Sequence, residues 1–355
     1  MPQPLPRIAD AILLSLLFHF STGNAGAAPA LERFEFSKPQ MGAPFRIVLY
    51  AEGKERAEKA AARAFERVEA LNQILSDYEY DSELSALSRS SGSGQAIAVS
   101  KELWHVLCRS QELALETAGA FDITVGPYTS LWRKSRRERK LPDPALMTEL
   151  KACVGFHLLA LDRKKRSALL KAPRMRLDLG GIAKGYVVDQ ALLTLKNEGI
   201  RSALVAAAGD LAVSAAPPGR HGWEVAMSQH DLVKPPSSEI VTIKNQAMAT
   251  SGDLFQYVEI DGIRYSHILN PKTGVGLKDH SLVTVIAKDC ITADGWATAI
   301  SVLGPKPGVA AAEKHGGLAA CVLAKEGGLI QTAKSKRFDR FLRQSRRSAG
   351  HQDLF

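Results

Sequence analysis

A glycine pair followed by a lysine is the first feature of the sequence that could do chemistry. In LDLGGIAKGY, at 177–186, Gly180–Gly181 separates a predicted strand, Arg174–Leu179, from a predicted helix. Such a junction presents backbone N–H groups at the positive end of a helix, and Lys184 adds a charge that suits phosphate. The pattern is neither the dinucleotide-binding nor the P-loop motif, so an ordinary turn with a solvated lysine is an equal alternative.

A carboxylate and a hydroxyl four residues apart form the second candidate. Asp294 and Thr298 lie in a predicted helix, Thr292–Leu303, so their spacing puts them one turn apart on the same face. Both supply oxygen ligands, which suit a hard cation such as Mg²⁺ better than Zn²⁺. Two ligands are too few for a metal site, and the pattern alone favours a helix cap at Asp294 with a packed Thr298.

A histidine beside a predicted hairpin is the third candidate. Asp261–Gly262 between two β-rich runs predicts a two-residue turn, which sets Gln256 opposite His267. His267 then shares a face with Ile263 and Tyr265, the apolar and inward one. An inward histidine is usually a hydrogen-bonded core residue, and a general base is the sharper alternative.

The elements that must position these residues are mixed helices and strands. Apolar spacing predicts a helix over Lys54–Leu75, Ser100 can cap a second helix, and Asp143–Pro144 begins a third. Another helix runs from Ile182 to about Glu198, and short strands with hairpin turns follow. Neither a repeat nor a linker divides the chain, so the predicted fold class is α+β rather than a doubly wound parallel sheet.

The formal net charge of the 355-residue chain is +9, but two short segments account for it. Residues 133–140 contain six basic side chains and one acidic one, and residues 334–347 contain seven and one. The remainder is slightly acidic, which argues against a nucleic-acid partner. We expect both segments at the surface, the second as a frayed tail or as a basic amphipathic helix, because Phe338, Phe341 and Leu342 have helical spacing.

Residues 1–27 have the regions of a signal peptide in the right order. Arg7 precedes an apolar run at 11–20, and Ala25–Ala27 forms a small-residue cleavage site. The run is too short to span a membrane, and the cleavage site has no cysteine for lipidation. We therefore expect an exported, periplasmic protein that starts near Ala28. Its four cysteines are too far apart in the sequence to suggest zinc, and could be disulfide-bonded or free.

Seven short motifs follow one another from Met41 to about Leu303. They are MGAPF at 41–45, the stretch 78–84, AFDITVGP at 120–127, LDLGGIAKGY at 177–186, AMATSGD at 247–253, YSHILNPKTG at 265–274 and TADGWATA at 292–299. In this order they resemble the FAD:protein FMN transferases, the ApbE family. Each motif alone is weak, but the ordered set is specific.

The resemblance implies an α+β fold of mixed sheets with helices, related to the T-fold, with FAD bound in a cleft between lobes. It implies a flavin transferase domain over residues 28–333, followed by the basic tail at 334–355. The implied reaction is Mg²⁺-dependent transfer of the FMN part of FAD to a threonine hydroxyl of an acceptor protein, with release of AMP. Family acceptors are subunits of membrane electron-transport complexes and soluble periplasmic reductases.

The resemblance also assigns residues to roles. It makes His267 the base for the acceptor threonine, and it places Mg²⁺ on the Gly181 carbonyl, Asp294 and Thr298. The implied flavin contacts are Met41, Tyr78, Ala120, Phe121, Asp122, Asp178, Lys184, His267 and Ile268. With this context, the functional alternative becomes the favoured one for all three candidates above.

Three departures from the family pattern leave alternatives open. Ala206–Asp210 lacks the usual asparagine and one glycine, Asn270 replaces a common aspartate, and the basic run at 133–140 replaces a glycine-rich segment. Hydrolysis of FAD to FMN and AMP would use the same metal and diphosphate. A non-catalytic FAD carrier on the same fold is the third hypothesis, against which the retained His267, Asp294 and Thr298 argue.

Overall fold

The computed structural model describes residues 30–228, 238–252, 256–278, 280–326 and 329–342. The described residues from Leu31 onwards belong to one compact unit. None of the helices in these ranges has both the length and the apolar character needed to cross a membrane. The predicted signal peptide, residues 1–27, lies outside the described residues and stays a prediction.

The fold contains mixed strands and helices, which confirms the α+β prediction. The strands are β1 (Glu32–Gln40), β2 (Ala43–Ala51), β3 (Ile97–Ala98), β4 (Leu159–Asp162), β5 (Ser167–Leu170), β6 (Ala203–Ala207), β7 (Asp210–Val213), β8 (Trp223–Ser228), β9 (Ser238–Ile243), β10 (Gln246–Gly252), β11 (Tyr257–Ile260), β12 (Ile263–Ser266), β13 (His280–Ala287), β14 (Ala319–Glu326) and β15 (Leu329–Lys334). The helices are α1 (Lys54–Leu75), α2 (Glu83–Arg89), α3 (Lys101–Glu116), α4 (Gly126–Glu138), α5 (Pro144–Leu150), α6 (Ala183–Asn197), α7 (Cys290–Leu303) and α8 (Pro305–His315).

One large antiparallel sheet organises the molecule. It has eight strands in the order β1-β2-β6-β7-β10-β13-β14-β15. Three smaller groups accompany it: the sheet β3-β5-β4, the β8-β9 ribbon and the β11-β12 hairpin.

Each face of the large sheet has its own core, because alternate side chains of a strand point to opposite faces. Ile47 and Leu49 point to the face that α1, α6 and α7 cover. Val48 points to the other face, where Trp223 of the β8-β9 ribbon and Phe338 complete a second core. The candidate residues on α6 and α7 therefore belong to the helical face.

Several predicted boundaries are confirmed. Helix α1 spans Lys54–Leu75 as predicted, the Ser100 hydroxyl accepts the N–H of Leu103 to cap α3, and Asp143 caps α5. Residues with a side-chain oxygen suited to an N-cap thus begin helices where the sequence indicated. The cysteine alternative is also settled, since all four are free thiols and three are buried.

The predicted strand at Arg174–Leu179 is wrong. Leu177 and Leu179 are buried as the alternation required, but Arg174 has φ +64° and only Arg176 forms a bridge, to Val125. The alternation therefore records which side chains face the core and not membership of a ladder. The segment is extended and leads directly into the glycine turn.

Within the described residues, the 334–347 segment forms neither an amphipathic α-helix nor a frayed tail. Phe338 is 0% exposed in a short 3₁₀ turn, the Phe341 carbonyl accepts the N–H of Thr242 at 2.9 Å, and Leu342 bridges to Val241. The apolar side chains fill the second core, so burial decides their conformation rather than helical spacing. Residues beyond 342 lie outside the described residues.

Candidate active site

The glycine pair forms the turn that leads into α6. The Asp178 carboxylate accepts the N–H of Gly180 at 2.8 Å, and the N–H of Asp178 donates to the Ile123 carbonyl at 2.8 Å. The Lys184 ammonium donates to the Gly180 carbonyl at 3.2 Å and lies 3.4 Å from Asp210. The Lys184 side chain is 27% exposed, so it is held over the turn and is not a solvated lysine.

Close packing of α6 against α7 brings the predicted metal ligands together. A Cβ atom on Gly181 would lie 2.9 Å from Oγ1 of Thr298, and one on Gly185 would lie 2.8 Å from Cβ of Asp294. The N–H of Gly185 donates to the Asp294 carboxylate at 3.0 Å. Only residues without a side chain permit this approach, so Gly181, Asp294 and Thr298 meet where the two helices touch.

The alternative that Asp294 caps α7 is wrong. Asp289 is the N-cap and accepts the N–H of Thr292, while Asp189 of α6 accepts the N–H groups of Cys290 and Ile291 at 2.8 and 2.9 Å. Asp294 lies one turn further along and is 3% exposed. Its buried carboxylate therefore does not cap α7 and instead accepts a hydrogen bond from the first turn of α6.

Lys184, Asp210 and Asp294 form a buried charge group. Burial and the neighbouring charge of Asp294 raise the pKa of Asp210, and burial raises the pKa of Asp294. Although burial opposes its charge, the two carboxylates hold the pKa of Lys184 above its usual value. One ammonium faces two carboxylates, so a bound cation would favour the ionised form of both acids.

The donor chemistry of this group fits a hard cation. The Gly181 carbonyl, the Asp294 carboxylate and the Thr298 hydroxyl are all oxygen donors, the ligand type that Mg²⁺ prefers. The described residues contain no group of three or more His, Cys, Asp or Glu side chains that could hold a metal ion. A site here would therefore depend on the carbonyl and the hydroxyl as well as on the carboxylate.

Tyr78 packs against Arg133, which lies near Asp178 of the glycine turn. The Arg133 guanidinium is 4.0 Å from the ring centroid of Tyr78, 2.7 Å from the Asp77 carboxylate and 3.8 Å from the Asp178 carboxylate. The Tyr78 side chain is nevertheless 76% exposed. Burial and the nearby Asp178 raise the pKa of Asp77 despite the pairing with Arg133. Arg133 is thus not part of a loose surface run, which corrects that expectation.

Residues 120–125 run alongside the glycine turn. Ala120 and Phe121 are buried, and the Asp122 carboxylate accepts the N–H and the hydroxyl of Thr124 at 2.8 and 2.7 Å. Burial raises the pKa of Asp122 despite these hydrogen bonds. This segment is therefore buried and is not an exposed loop, and the Ile123 carbonyl joins it directly to Asp178.

The β11-β12 hairpin has the predicted register. Val258 pairs with Tyr265, and the N–H of His267 donates to the Gln256 carbonyl at 2.9 Å. Nδ1 of His267 lies 3.2 Å from the same carbonyl, so a proton on Nδ1 leaves Nε2 as the basic nitrogen. The ring is half-buried and Tyr265 on the same face is 3% exposed, but Ile263 is 42% exposed, so the prediction that all three face inward is wrong for Ile263. His267 therefore lies at the edge of the core.

Met41 occupies the β1-β2 turn at one end of the large sheet, and Ile268 lies in the bend that follows β12. Met41 has φ +50° in the β1-β2 turn, and the pairing of Phe45 with Ala207 sets this turn beside the β6-β7 turn that precedes Asp210. Strand β10 also ends here, and β11-β12 follows it along the chain. Ile268 donates its N–H to the Ser266 hydroxyl at 3.0 Å.

Sequence reasoning missed two residues of this site. Asp77 adjoins Tyr78 and had only its position as a signal. Arg133 was hidden in a basic run in which Lys134, Arg137, Arg139 and Lys140 are exposed. Its contacts with Asp77 and Asp178 join residues distant in the sequence, and no local pattern encodes them.

The fold and site define an α+β protein with a buried group of two carboxylates and one ammonium at the start of a helix. The model of the ApbE family matches residues 41–322. The FAD:protein FMN transferase of Haemophilus influenzae is 30% identical over 338 residues, covering 92% of this chain and 95% of that protein. The FAD:protein FMN transferase of Vibrio cholerae is 32% identical, covering 82% and 87%.

Solved structures agree with the sequence comparisons. The flavin transferase ApbE from Vibrio cholerae superposes with a TM-score of 0.80 at 29% identity, covering 88% of this chain and all of that one. The apo flavinyl transferase ApbE of Pseudomonas stutzeri gives a TM-score of 0.78 at 29% identity. The chain belongs to the ApbE family.

Proposed function

We propose that this protein is an FAD:protein FMN transferase that moves the FMN part of FAD to a threonine hydroxyl of an acceptor protein and releases AMP. The observation that supports this most is the meeting of Gly181, Asp294 and Thr298 beside Lys184. A phosphoryl-transfer site needs positive charge and oxygen ligands at one place, and these residues supply both.

The Gly181 carbonyl, Asp294 and Thr298 are proposed to hold Mg²⁺. When bound, the ion neutralises charge on the diphosphate oxygens of FAD. Lys184 is proposed to bind the same diphosphate through its ammonium, which Asp210 and Asp294 keep protonated. Asp178 fixes the turn that presents the Gly180 and Gly181 backbone to the ligand.

His267 is proposed to accept the proton of the acceptor hydroxyl at Nε2. The threonine oxygen then forms a bond to the FMN phosphorus, and the bond from that phosphorus to the bridging oxygen breaks, so AMP leaves with that oxygen. The carbonyl of Gln256 supports this role because it lies within reach of Nδ1 and orients the ring.

The remaining family positions are proposed to bind the flavin part of FAD. Tyr78 offers an exposed ring for stacking, and the buried Asp122 shapes the neighbouring segment. Because Ala120 and Phe121 are buried, they would act through their backbone. Met41 would contribute from the β1-β2 turn, and Ile268 from the bend after β12.

We further propose that the protein is exported to the periplasm after removal of residues 1–27. Its acceptor would be a subunit of a membrane electron-transport complex or a soluble periplasmic reductase. The signal-peptide pattern and the family's acceptors support this assignment.

The test incubates residues 28–355 with FAD, Mg²⁺ and an acceptor domain that carries a threonine, and measures covalent FMN by mass spectrometry. We expect an adduct and stoichiometric AMP, loss of both in EDTA, and no adduct when the acceptor threonine is changed to valine. His267→Ala should bind FAD normally but lose transfer by about 10²–10⁴-fold.

The outcomes separate the alternatives. AMP and FMN without an adduct would indicate hydrolysis of FAD, and FAD binding with neither product would indicate a carrier. Transfer at the wild-type rate by His267→Ala would remove this residue from the mechanism.

A further inference from the structure

The Arg133 guanidinium contacts three residues, Tyr78, Asp77 and Asp178. Its guanidinium lies 4.0 Å from the ring centroid of Tyr78 and pairs with the carboxylate of Asp77 at 2.7 Å. A second nitrogen lies 3.8 Å from the carboxylate of Asp178. The Arg133 side chain is only 23% exposed, and the carboxylates of Asp77 and Asp178 restrict the position of its guanidinium.

The Tyr78 ring has two different surroundings. One face is covered by the guanidinium, whose planar group stacks on aromatic rings. The side chain is still 76% exposed, which leaves its remaining surface open to solvent. An exposed tyrosine would normally sample several rotamers, and a cation fixed over one face restricts that freedom.

Helix α4 fixes the backbone from which Arg133 projects. The adjacent Trp132 is 1% exposed, donates its indole N–H to the Ser266 carbonyl at 3.1 Å and packs edge-on against Tyr265. Helix α4 therefore links Arg133, which contacts Tyr78, to the β11-β12 hairpin that precedes His267.

We propose that Arg133 is a positioning residue for the flavin, holding the Tyr78 ring so that its open face stacks on the isoalloxazine ring of FAD. Arg133 acts through Tyr78 and does not touch the diphosphate. This inference rests on the proposed function only as far as FAD binding, because it makes no statement about transfer.

The experiment measures dissociation constants for FAD and for ADP, both with Mg²⁺, by calorimetry. ADP has the adenosine and diphosphate of FAD but no flavin. Arg133→Gln should weaken FAD binding about 10-fold and ADP binding less than about 2-fold. Arg133→Lys should restore little, because an ammonium lacks the planar fork. The matched control, Arg137→Gln, removes the same charge from an exposed position on α4 and should leave both constants unchanged.

A double-mutant cycle with Tyr78→Ala tests whether Arg133 acts through the ring. In the Tyr78→Ala background, Arg133→Gln should change FAD affinity less than about 2-fold. Full additivity, an equal loss of FAD and ADP affinity, or tighter FAD binding by Arg133→Gln would each overturn the proposal. Wild-type protein that binds FAD but transfers no FMN would refute the proposed function and leave this test intact. Absence of any FAD binding would refute both.

Discussion

At the scale of the residue, the proposed site depends on the absence of a side chain at Gly181. The position of Thr298 leaves no room for a side chain there, since an added Cβ would lie 2.9 Å from Oγ1, 3.0 Å from Cγ2 and 3.2 Å from Cβ of Thr298. Rotation of the threonine exchanges one close contact for another, because both branches are near. A methyl group at residue 181 must therefore displace α7 or the glycine turn.

Gly181→Ala should separate the proposed metal ligands. We expect the Mg²⁺ concentration for half-maximal transfer to rise about 10-fold, with a loss of about 1–3 kcal/mol in the free energy of unfolding from overpacking. Titration of Mg²⁺ in the transfer assay and urea unfolding measure the two effects.

Thr298→Ser provides the matched control because it keeps the hydroxyl and removes Cγ2. Combined with Gly181→Ala, it should recover part of the lost stability by relieving one of the close contacts. If Gly181→Ala left both the Mg²⁺ titration and the stability unchanged, the close approach of α6 and α7 would have no role in the site.

The spacing of Asp294 and Thr298 predicted correctly that they share a helix face. The sequence could not predict that this face would meet Gly181, because that contact depends on packing between elements more than 100 residues apart. Family resemblance supplied the link. Arg133 shows the limit of that approach, since the family pattern at this position differs and its partners were found only in the structure.

At the scale of the element, aspartates from two parts of the sequence accept the N–H groups at the start of α7. Asp289 caps it locally, and Asp189 of α6 accepts the next two N–H groups, those of Cys290 and Ile291. Burial, together with the charges of Asp289 and Asp294, raises the pKa of Asp189 to about 7 although both N–H bonds oppose the shift.

The raised pKa makes the stability of the protein depend on pH. A pKa near 7 in the folded state and about 3.8 in the unfolded state means that folding takes up a proton between these values. Stability from this group is therefore highest below pH 4 and is lost as the pH rises towards 7. Relative to Asp189→Asn, the wild type should lose on the order of 4 kcal/mol across this interval, because one pKa unit corresponds to about 1.4 kcal/mol.

Urea unfolding in EDTA at several pH values measures this difference. EDTA keeps the proposed metal binding at Asp294 from adding its own dependence on pH. Parallel curves for the wild type and Asp189→Asn would show that Asp189 does not titrate in this interval.

Local elements were predicted correctly where a single short-range sequence pattern determines them. Helix α1 and the register of the β11-β12 hairpin agree with the apolar spacing and the Asp261–Gly262 turn. The strand predicted at Arg174–Leu179 failed because alternation reports burial, whereas a strand also needs a neighbouring edge to pair with. The residues of a segment do not by themselves predict which other segment it will pair with in the fold.

At the scale of the whole molecule, the large sheet lies between the proposed site and the second core. The proposed site belongs to the helical face, with α6 and α7. The second core, on the opposite face, includes Trp223, Val241 and Phe338. Basic residues around Phe338 indicated a solvated tail, but the apolar side chain is the one that decides where this segment lies.

Phe338→Ala should therefore reduce stability without changing the chemistry. Removal of a fully buried phenylalanine costs about 3–5 kcal/mol, which should lower Tm by about 5–10 °C. At 25 °C the kcat/KM for flavin transfer should stay within about 2-fold of the wild type, because the site lies across the sheet.

The exposed neighbour Arg340 supplies the control, since Arg340→Ala removes a charge from the same turn without opening a cavity. It should change the free energy of unfolding by less than about 0.5 kcal/mol. Calorimetry and the transfer assay on the two variants decide the matter. If Phe338→Ala kept the wild-type Tm, the second core would not contribute to stability as expected. If transfer fell at 25 °C while the protein remained folded, the second core would not be independent of the proposed site.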